Sequence, residues 1–271
     1  MSSAVFGTVL DTAGDASALA GRHMRHLIRV PQKLLGTTVM PMAYVAIFGY
    51  LFGSVITVPG GSYREYIMAG IFTQMMLSTA ANTALGVTSD LGNGLVDRFR
   101  SLPISRGAVL IGRTTADLAL AALSCVLMAA VGTAIGWRIH HGLLSALAGF
   151  GVLLAFGYAM TWFGALLGMT LRTPEAVNAI AFLIIMPLTF LSNAFIPLDR
   201  LPSWLRAVCE WNPISVVAAA VRELFGNNAA VTAHLAYPER HPVPLAPALI
   251  LLLLAILIPL AIRAGRSAVT R

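Results

Sequence analysis

The stretch Val243–Ile262, VPLAPALILLLLAILIPLAI, decides the class of this chain: twenty successive residues carry no Asp, Glu, Lys or Arg. A helix rises ~1.5 Å per residue, so ~20 mostly apolar residues cross the ~30 Å hydrocarbon layer of a bilayer. Moving outward from it, four more uncharged runs appear, at Ala176–Leu198, Gly142–Leu171, Tyr66–Thr88 and Leu34–Ile56. A sixth, Thr114–Trp137, holds one acid, Asp117, near its first end. Lipid offers backbone amides no partner, so each run is expected to be helical. The expected fold is an all-α integral membrane protein with six transmembrane helices. Residues 1–33 form its N-terminus, 34–262 the transmembrane domain and 263–271 a tail.

Composition excludes a soluble domain. Apolar residues make up 58% of the 271 and charged residues 11%, against about 45–50% and 25% in soluble domains. The net charge of +7 comes from seventeen Arg and a single Lys, Lys33. These charges are dispersed between apolar runs instead of clustered on a polar face, which argues against nucleic acid. Counting them between spans gives orientation, because Lys and Arg accumulate on the cytoplasmic side. The N-terminus, the Ser89–Arg113 loop, Arg172 and the tail hold twelve; the opposite side holds six, four of them (Arg200, Arg206, Arg222, Arg240) in the last loop. Both termini are therefore expected to be cytoplasmic. Residues 1–33 contain no apolar run of the kind found in a signal peptide, so a cleaved leader is not expected. Cys125 and Cys209 are expected to be free thiols.

Three connections carry a pattern of their own. Residues 18–33 place Arg22, Arg25, Arg29 and Lys33 opposite Ala20, Met24, Leu27 and Ile28, which predicts a helix lying in the membrane interface. In the Ser89–Arg113 loop, Leu91, Leu95, Phe99 and Leu102 recur at helical spacing, and Asp90, Asp97, Arg98 and Arg100 occupy the other faces until Pro103 ends the helix. That helix suits either docking to a soluble partner or folding back on the membrane. The outer segment Phe195–Val243 is rich in turn residues. Trp204 and Trp211 sit seven apart around Leu205 and Val208, as in a short helix at headgroup level, an anchor first and a cap over an exit second. Residues 227–242 read as loosely ordered.

Catalytic chemistry is missing. A P-loop needs Lys followed by Ser or Thr, and Leu34 follows the sole lysine. No H-E-x-x-H, C-x-x-C or G-x-S-x-G occurs, and neither His23 with His26 nor His140 with His141 has a carboxylate at ligand spacing in the sequence. Transport has more support. Gly70, Gln74, Ser78, Asn82 and Gly86 recur every four residues in the second span, a row that faces a neighbouring helix or a pathway. The alternative is interhelical hydrogen-bond glue, worth about 0.6 kcal/mol per contact. Phe72, Met75 and Met76 flank the row and suit either an amphiphilic substrate or core packing. Thr189, Ser192 and Asn193 form a polar end to the fifth span. Asp117 pairs most simply with Arg113, four residues earlier, with a proton relay as the alternative role of an acid inside a span. Gly49-x-x-x-Gly53, Gly132-x-x-x-Gly136 and Gly164-x-x-x-Gly168 predict close helix contacts, within one chain or between two.

The run Asp97-Arg-Phe-Arg-Ser-Leu-Pro-Ile-Ser105, followed by Arg106 and Gly112-Arg113, resembles the cytoplasmic loop of ABC-2 type ABC-transporter permeases. Ser192-Asn-Ala-Phe-Ile-Pro197, Leu201-Pro-Ser-Trp204 and Glu210-Trp-Asn-Pro213 are similar to the daunorubicin-resistance branch of that family. Asn93 stands before Gly94, where members often carry a charged residue. The resemblance implies a six-span permease subunit of an exporter in the cell membrane. It also implies a second permease, identical or paralogous, and a separate ABC ATPase subunit that binds ATP and Mg, leaving this chain with no cofactor. By the same likeness, Asp90–Pro103 is a coupling helix, with Asp90, Gly94, Asp97, Arg98, Arg100, Leu102 and Pro103 at the ATPase. Phe72, Gln74, Met75, Ser78, Asn82, Phe190 and Asn193 then lie along a pathway or dimer interface. Trp204 and Trp211 stand at an outer gate. An amphiphilic drug is the implied cargo; lipid or glycan export, or an ATP-independent channel or proton-coupled carrier, remain alternatives.

Overall fold

The computed structural model describes residues 39, 42–52, 58, 62–92, 106–171, 173–198, 201–227 and 237–268. The interfacial helix expected at 18–33 lies outside them, as do Gly94, Asp97, Arg98, Arg100, Leu102 and Pro103. Of the first expected span, 42–46 are α-helical and Ile47–Phe52 form a π-helical turn. The helices that follow are α1 (Tyr63–Gly92), α2 (Arg106–Ala134), α3 (Leu143–Thr170), α4 (Pro174–Phe190), α5 (Ser203–Glu210), α6 (Pro213–Phe225), α7 (Tyr237–Arg240) and α8 (Pro242–Ala268). Three stretches, Leu110–Ala134, Leu143–Thr170 and Pro242–Gly265, are long and apolar enough to cross a bilayer.

α1 is the axis of the bundle and touches α2, α3, α4 and α6. It begins where the Ser62 carbonyl accepts from Glu65 N and Tyr66 N, 3.0 Å each, while Ser62 Oγ accepts from Arg64 N at 3.3 Å. Glu65 in the first turn complements the positive end of the helix dipole. Thirty residues make a rod of ~45 Å, longer than the hydrocarbon layer. α1 therefore runs on through Asp90 and Leu91, which belong to its last turns and not to a separate loop helix. α2 likewise starts at Arg106, eight residues before the expected span, because a helix can continue through charged residues that a bilayer core rejects.

α2 stops at Ala134 and not at Trp137. Gly136 adopts φ 100°, which an L side chain would resist, and Trp137 N then returns to the Gly132 carbonyl at 2.9 Å. That reversal folds Trp137 inward. It packs with Phe72, Phe150 and Phe225 in an aromatic cluster whose ring centroids lie 5.1–6.3 Å apart.

α1 and α3 meet through backbone. A Cβ on Gly164 would stand 2.2 Å from the Ala80 carbonyl oxygen, and one on Gly168 2.5 Å from that of Ala84. Thr88 Oγ1 donates to the Gly168 carbonyl at 3.1 Å across the same seam. Gly164-x-x-x-Gly168 thus closes a contact within one chain. Small residues suit this role in lipid, where van der Waals packing replaces the hydrophobic effect.

α4 stops well short of the expected span. Thr173 caps it by accepting from Ala176 N at 3.2 Å, Pro174 opens it, and it ends at Phe190 instead of Leu198. Seventeen residues reach only ~26 Å. Beyond them the chain turns at 191–195, and α5 and α6 fold back against the bundle. α6 is buried on nearly all sides by α1, α3 and α8. The loose order expected over 227–242 does not extend to α7 and the start of α8; residues 228–236 lie outside the described set.

Candidate functional site: the polar seam of α1 and its two ends

The candidate row on α1 divides by burial. Gln74 and Ser78 are half-buried and Asn82 is exposed; Phe72 and Met75 point into the core, Phe72 with no exposed surface. Thr189 Oγ1 on α4 lies 2.7 Å from both Gln74 Oε1 and the Ile185 carbonyl, so its one proton serves either. Ser78 Oγ donates to the Gln74 carbonyl at 2.9 Å. On the α4 side, Phe182 and Phe190 are 64% and 66% exposed. The chain therefore presents a polar strip on α1, joined at Gln74 to an aromatic face of α4. Asn193 is not on this strip but inside the protein.

Asn193 belongs to a buried box at the end of the bundle where α1 begins. Arg222 of α6, 4% exposed, donates through Nε to the Tyr66 carbonyl at 3.0 Å and through Nη1 to Asn193 Oδ1 at 3.1 Å. Its Nη2 donates to the Asn193 carbonyl at 2.6 Å and the Ala194 carbonyl at 3.1 Å. The guanidinium carbon lies 3.7 Å from the centroid of the Tyr66 ring, a cation–π contact. Tyr66 Oη donates to the Asn193 carbonyl at 2.7 Å and Tyr63 Oη to that of Phe195 at 2.8 Å. Asn212 Nδ2 donates to the Leu188 and Leu191 carbonyls at 2.8 and 2.6 Å. α4 ends early, and the carbonyls of its last turn and of the 191–195 turn that follows, away from water, require donors.

The charge count set Arg222 among four outer-loop cations, whereas it is a core residue. The available signal was its setting, since Ile214, Val216, Val217, Ala218, Ala220 and Val221 surround it with apolar positions on every face of one short helix. A lone cation there has to find acceptors inside.

α5 separates its faces sharply. Cys209 and Glu210 are buried, while Trp204, Val208 and Trp211 are 70%, 54% and 61% exposed. Burial, reinforced by the Glu239 carboxylate, pushes the Glu210 carboxyl above its usual range, and Arg206 opposes the shift. Both cysteines are free and buried. His140 Nε2 lies 2.9 Å from Glu65 Oε1, a carboxylate that only the fold brings near. Among the described residues no three His, Cys, Asp or Glu side chains are grouped to hold a metal ion.

At the opposite end, Arg113 of α2 pairs with Asp117, Nε to Oδ2 at 3.3 Å, as its spacing predicts, and also with Asp90 of α1. Asp117 Oδ2 accepts in turn from Thr83 Oγ1 of α1 at 2.8 Å.

An apolar helical bundle with three stretches long enough to cross a bilayer has the build of a multi-pass membrane protein. The ABC-2 type transporter family matches residues 15–225, and the chain belongs to that family as an ABC transporter permease subunit. It is similar to the daunorubicin resistance ABC transporter permease protein DrrB1 of Streptomyces coeruleorubidus, 29% identical over 208 residues covering 77% of this chain and 74% of that protein. It also resembles the probable doxorubicin resistance ABC transporter permease protein DrrC of Mycobacterium tuberculosis, 25% over 223 residues, 79% and 76%. The putative transport permease ycf38 of Cyanophora paradoxa is 25% identical over 214 residues, 78% and 73%.

Proposed function

We propose that this chain is the membrane half of an ATP-driven exporter of amphiphilic drugs, paired with a second permease and powered by a separate ATPase subunit. The observation that carries the reading is the strip of Gln74, Ser78 and Asn82 beside exposed Phe182 and Phe190. Polar groups left on an accessible helix face in lipid are costly unless a partner helix or a cargo meets them. A second permease copy or paralogue across this face encloses a path lined with amide, hydroxyl and aromatic groups, suited to cargo that is part apolar and part polar. Two relatives named for resistance to daunorubicin and doxorubicin support that choice of cargo. The chain has no Lys-Ser or Lys-Thr pair, so ATP and Mg belong to the partner, whose hydrolysis supplies the work. Residues 93–105, with Asp97, Arg98 and Arg100, are the docking site for that partner. In this reading both termini and the docking loop face the cytoplasm of the cell membrane, and Trp204 and Trp211 lie at the outer surface.

The test is co-purification of an ATPase subunit with the permease, followed by ATP-driven daunorubicin uptake into inside-out vesicles. Arg98→Glu with Arg100→Glu is expected to abolish both complex and uptake. Persistence of both would refute the docking site. Full uptake by the permease reconstituted alone would refute an ATP-driven permease altogether.

A further inference from the structure

Arg113 sits where α1 and α2 are joined by residues 93–105, and its surroundings are built around it. Its guanidinium reaches Asp90 near the end of α1 and, one turn along its own helix, Asp117. Asp117 is fixed from the other side by Thr83 Oγ1 of α1 at 2.8 Å. Thr83 and Asp90, seven residues apart, therefore share the α1 face turned to α2, and Gly86 lies between them on that face. There a Cβ would stand 1.5 Å from Arg113 Nη2 and 2.5 Å from Cζ, so the guanidinium occupies a notch that any side chain would fill. Arg113 and Asp117 are 17% and 21% exposed, where water screens an ion pair little, whereas Asp90, the carboxylate that carries the ion pair across to α1, is 44% exposed. At the far end of the same pair, contact is apolar: the position of a Gly132 Cβ lies 2.6 Å from Met68 Cε.

We infer that Arg113 is a positioning residue that clasps the joined ends of α1 and α2, so that a push on residues 93–105 moves both helices as one body. The inference rests on the proposed docking of the ATPase to those residues. Without the clasp, each helix end answers the push separately, and the displacement dissipates in opening the gap between them instead of shifting the strip on α1. Coupling, not docking, is then what Arg113 controls.

Two measurements test this. In the permease–ATPase complex, Arg113→Gln and Gly86→Leu are expected to leave co-purification and ATP hydrolysis intact while daunorubicin moved per ATP falls about tenfold, within the usual range of coupling between sites. Gly86→Leu changes no charge and evicts the guanidinium, so it separates the clasp from any direct contact of Arg113 with the ATPase. Unchanged drug moved per ATP in both variants, or loss of the ATPase from either complex, would overturn the inference. In the permease alone, spin labels at Gly92→Cys and Thr115→Cys are expected to report one narrow distance, broadened by Arg113→Gln. An unchanged distribution would overturn the clasp whether or not an ATPase partner is ever found, whereas failure of the unaltered protein to bind an ATPase would refute only the proposed function.

Discussion

Replacing Arg222 with Met is the sharpest probe of how this fold closes. Methionine keeps much of the length and all of the apolar contact but removes four hydrogen bonds and the cation–π contact with Tyr66. The Asn193 carbonyl retains Tyr66 Oη at 2.7 Å, so the groups most exposed to loss are Asn193 Oδ1 and the Ala194 carbonyl. Orphaning buried acceptors costs about 1–3 kcal/mol each, and average polar contacts in membrane bundles, about 0.6 kcal/mol apiece, give a lower bracket near 2 kcal/mol for four. Relief from desolvating the cation offsets part of this. The expected loss is about 2–5 kcal/mol, read from reversible unfolding of the purified permease in mixed micelles of increasing SDS fraction. Arg222→Lys keeps the charge but not the planar fork and should fall between the two. A Met variant within about 0.5 kcal/mol of the unaltered protein, a change typical of surface substitutions, would refute the view that this guanidinium holds the turn after α4.

Other consequences can be checked separately. Gly164→Leu drives a side chain into the Ala80 backbone, which cannot yield as a flexible side chain would; the folded fraction in fluorescence-detected size exclusion should collapse, and Ala146→Leu is not expected to match it if the seam is the cause. The Glu210 carboxyl is raised in the folded state, so the native protein holds its proton more tightly, and stability is lost as pH rises from the ordinary carboxylate range through the raised one. Glu210→Gln should flatten that dependence in melting curves taken across pH. Brominated lipids should quench Trp204 and Trp211, the two exposed indoles, far more than Trp137, which is 1% exposed; Trp204→Phe with Trp211→Phe should remove most of the quenching.

Where turn-forming residues bound an apolar run, the sequence reading and the structure agree closely, whereas α1 and α2 continue through the charged residues at their joined ends. α3 differs from the expected Gly142–Leu171 by one residue at each end, and α8 begins one residue before Val243, because a polar connection or turn stops the run on that side. The Arg113–Asp117 spacing was likewise readable, whereas Gly136, expected in a helix contact within the span, lies past the end of α2 with no neighbour at its Cβ position, and its φ of 100° turns Trp137 inward. The failures share one physical origin. Ala176–Leu198 is uniformly apolar, and hydropathy does not register that the chain leaves the helix at Phe190, since the turn survives in lipid only through donors brought from α1 and α6. Arg222 was misassigned for the same reason: its acceptors lie 28–156 residues away in sequence. The polar row on α1 was visible as a period of four, but its division into an open strip and a buried side depended on where α3 and α4 pack.

The glycine seam between α1 and α3 has a bearing on how motion in this protein ought to be watched. Two helices whose backbones touch have no rotamer slack to exchange, so they behave as a keel that yaws and pitches together. Probes split across that pair will stay silent during turnover, and a probe on α3 is best used as the reference mark against which travel of α4 or an opposing subunit is measured.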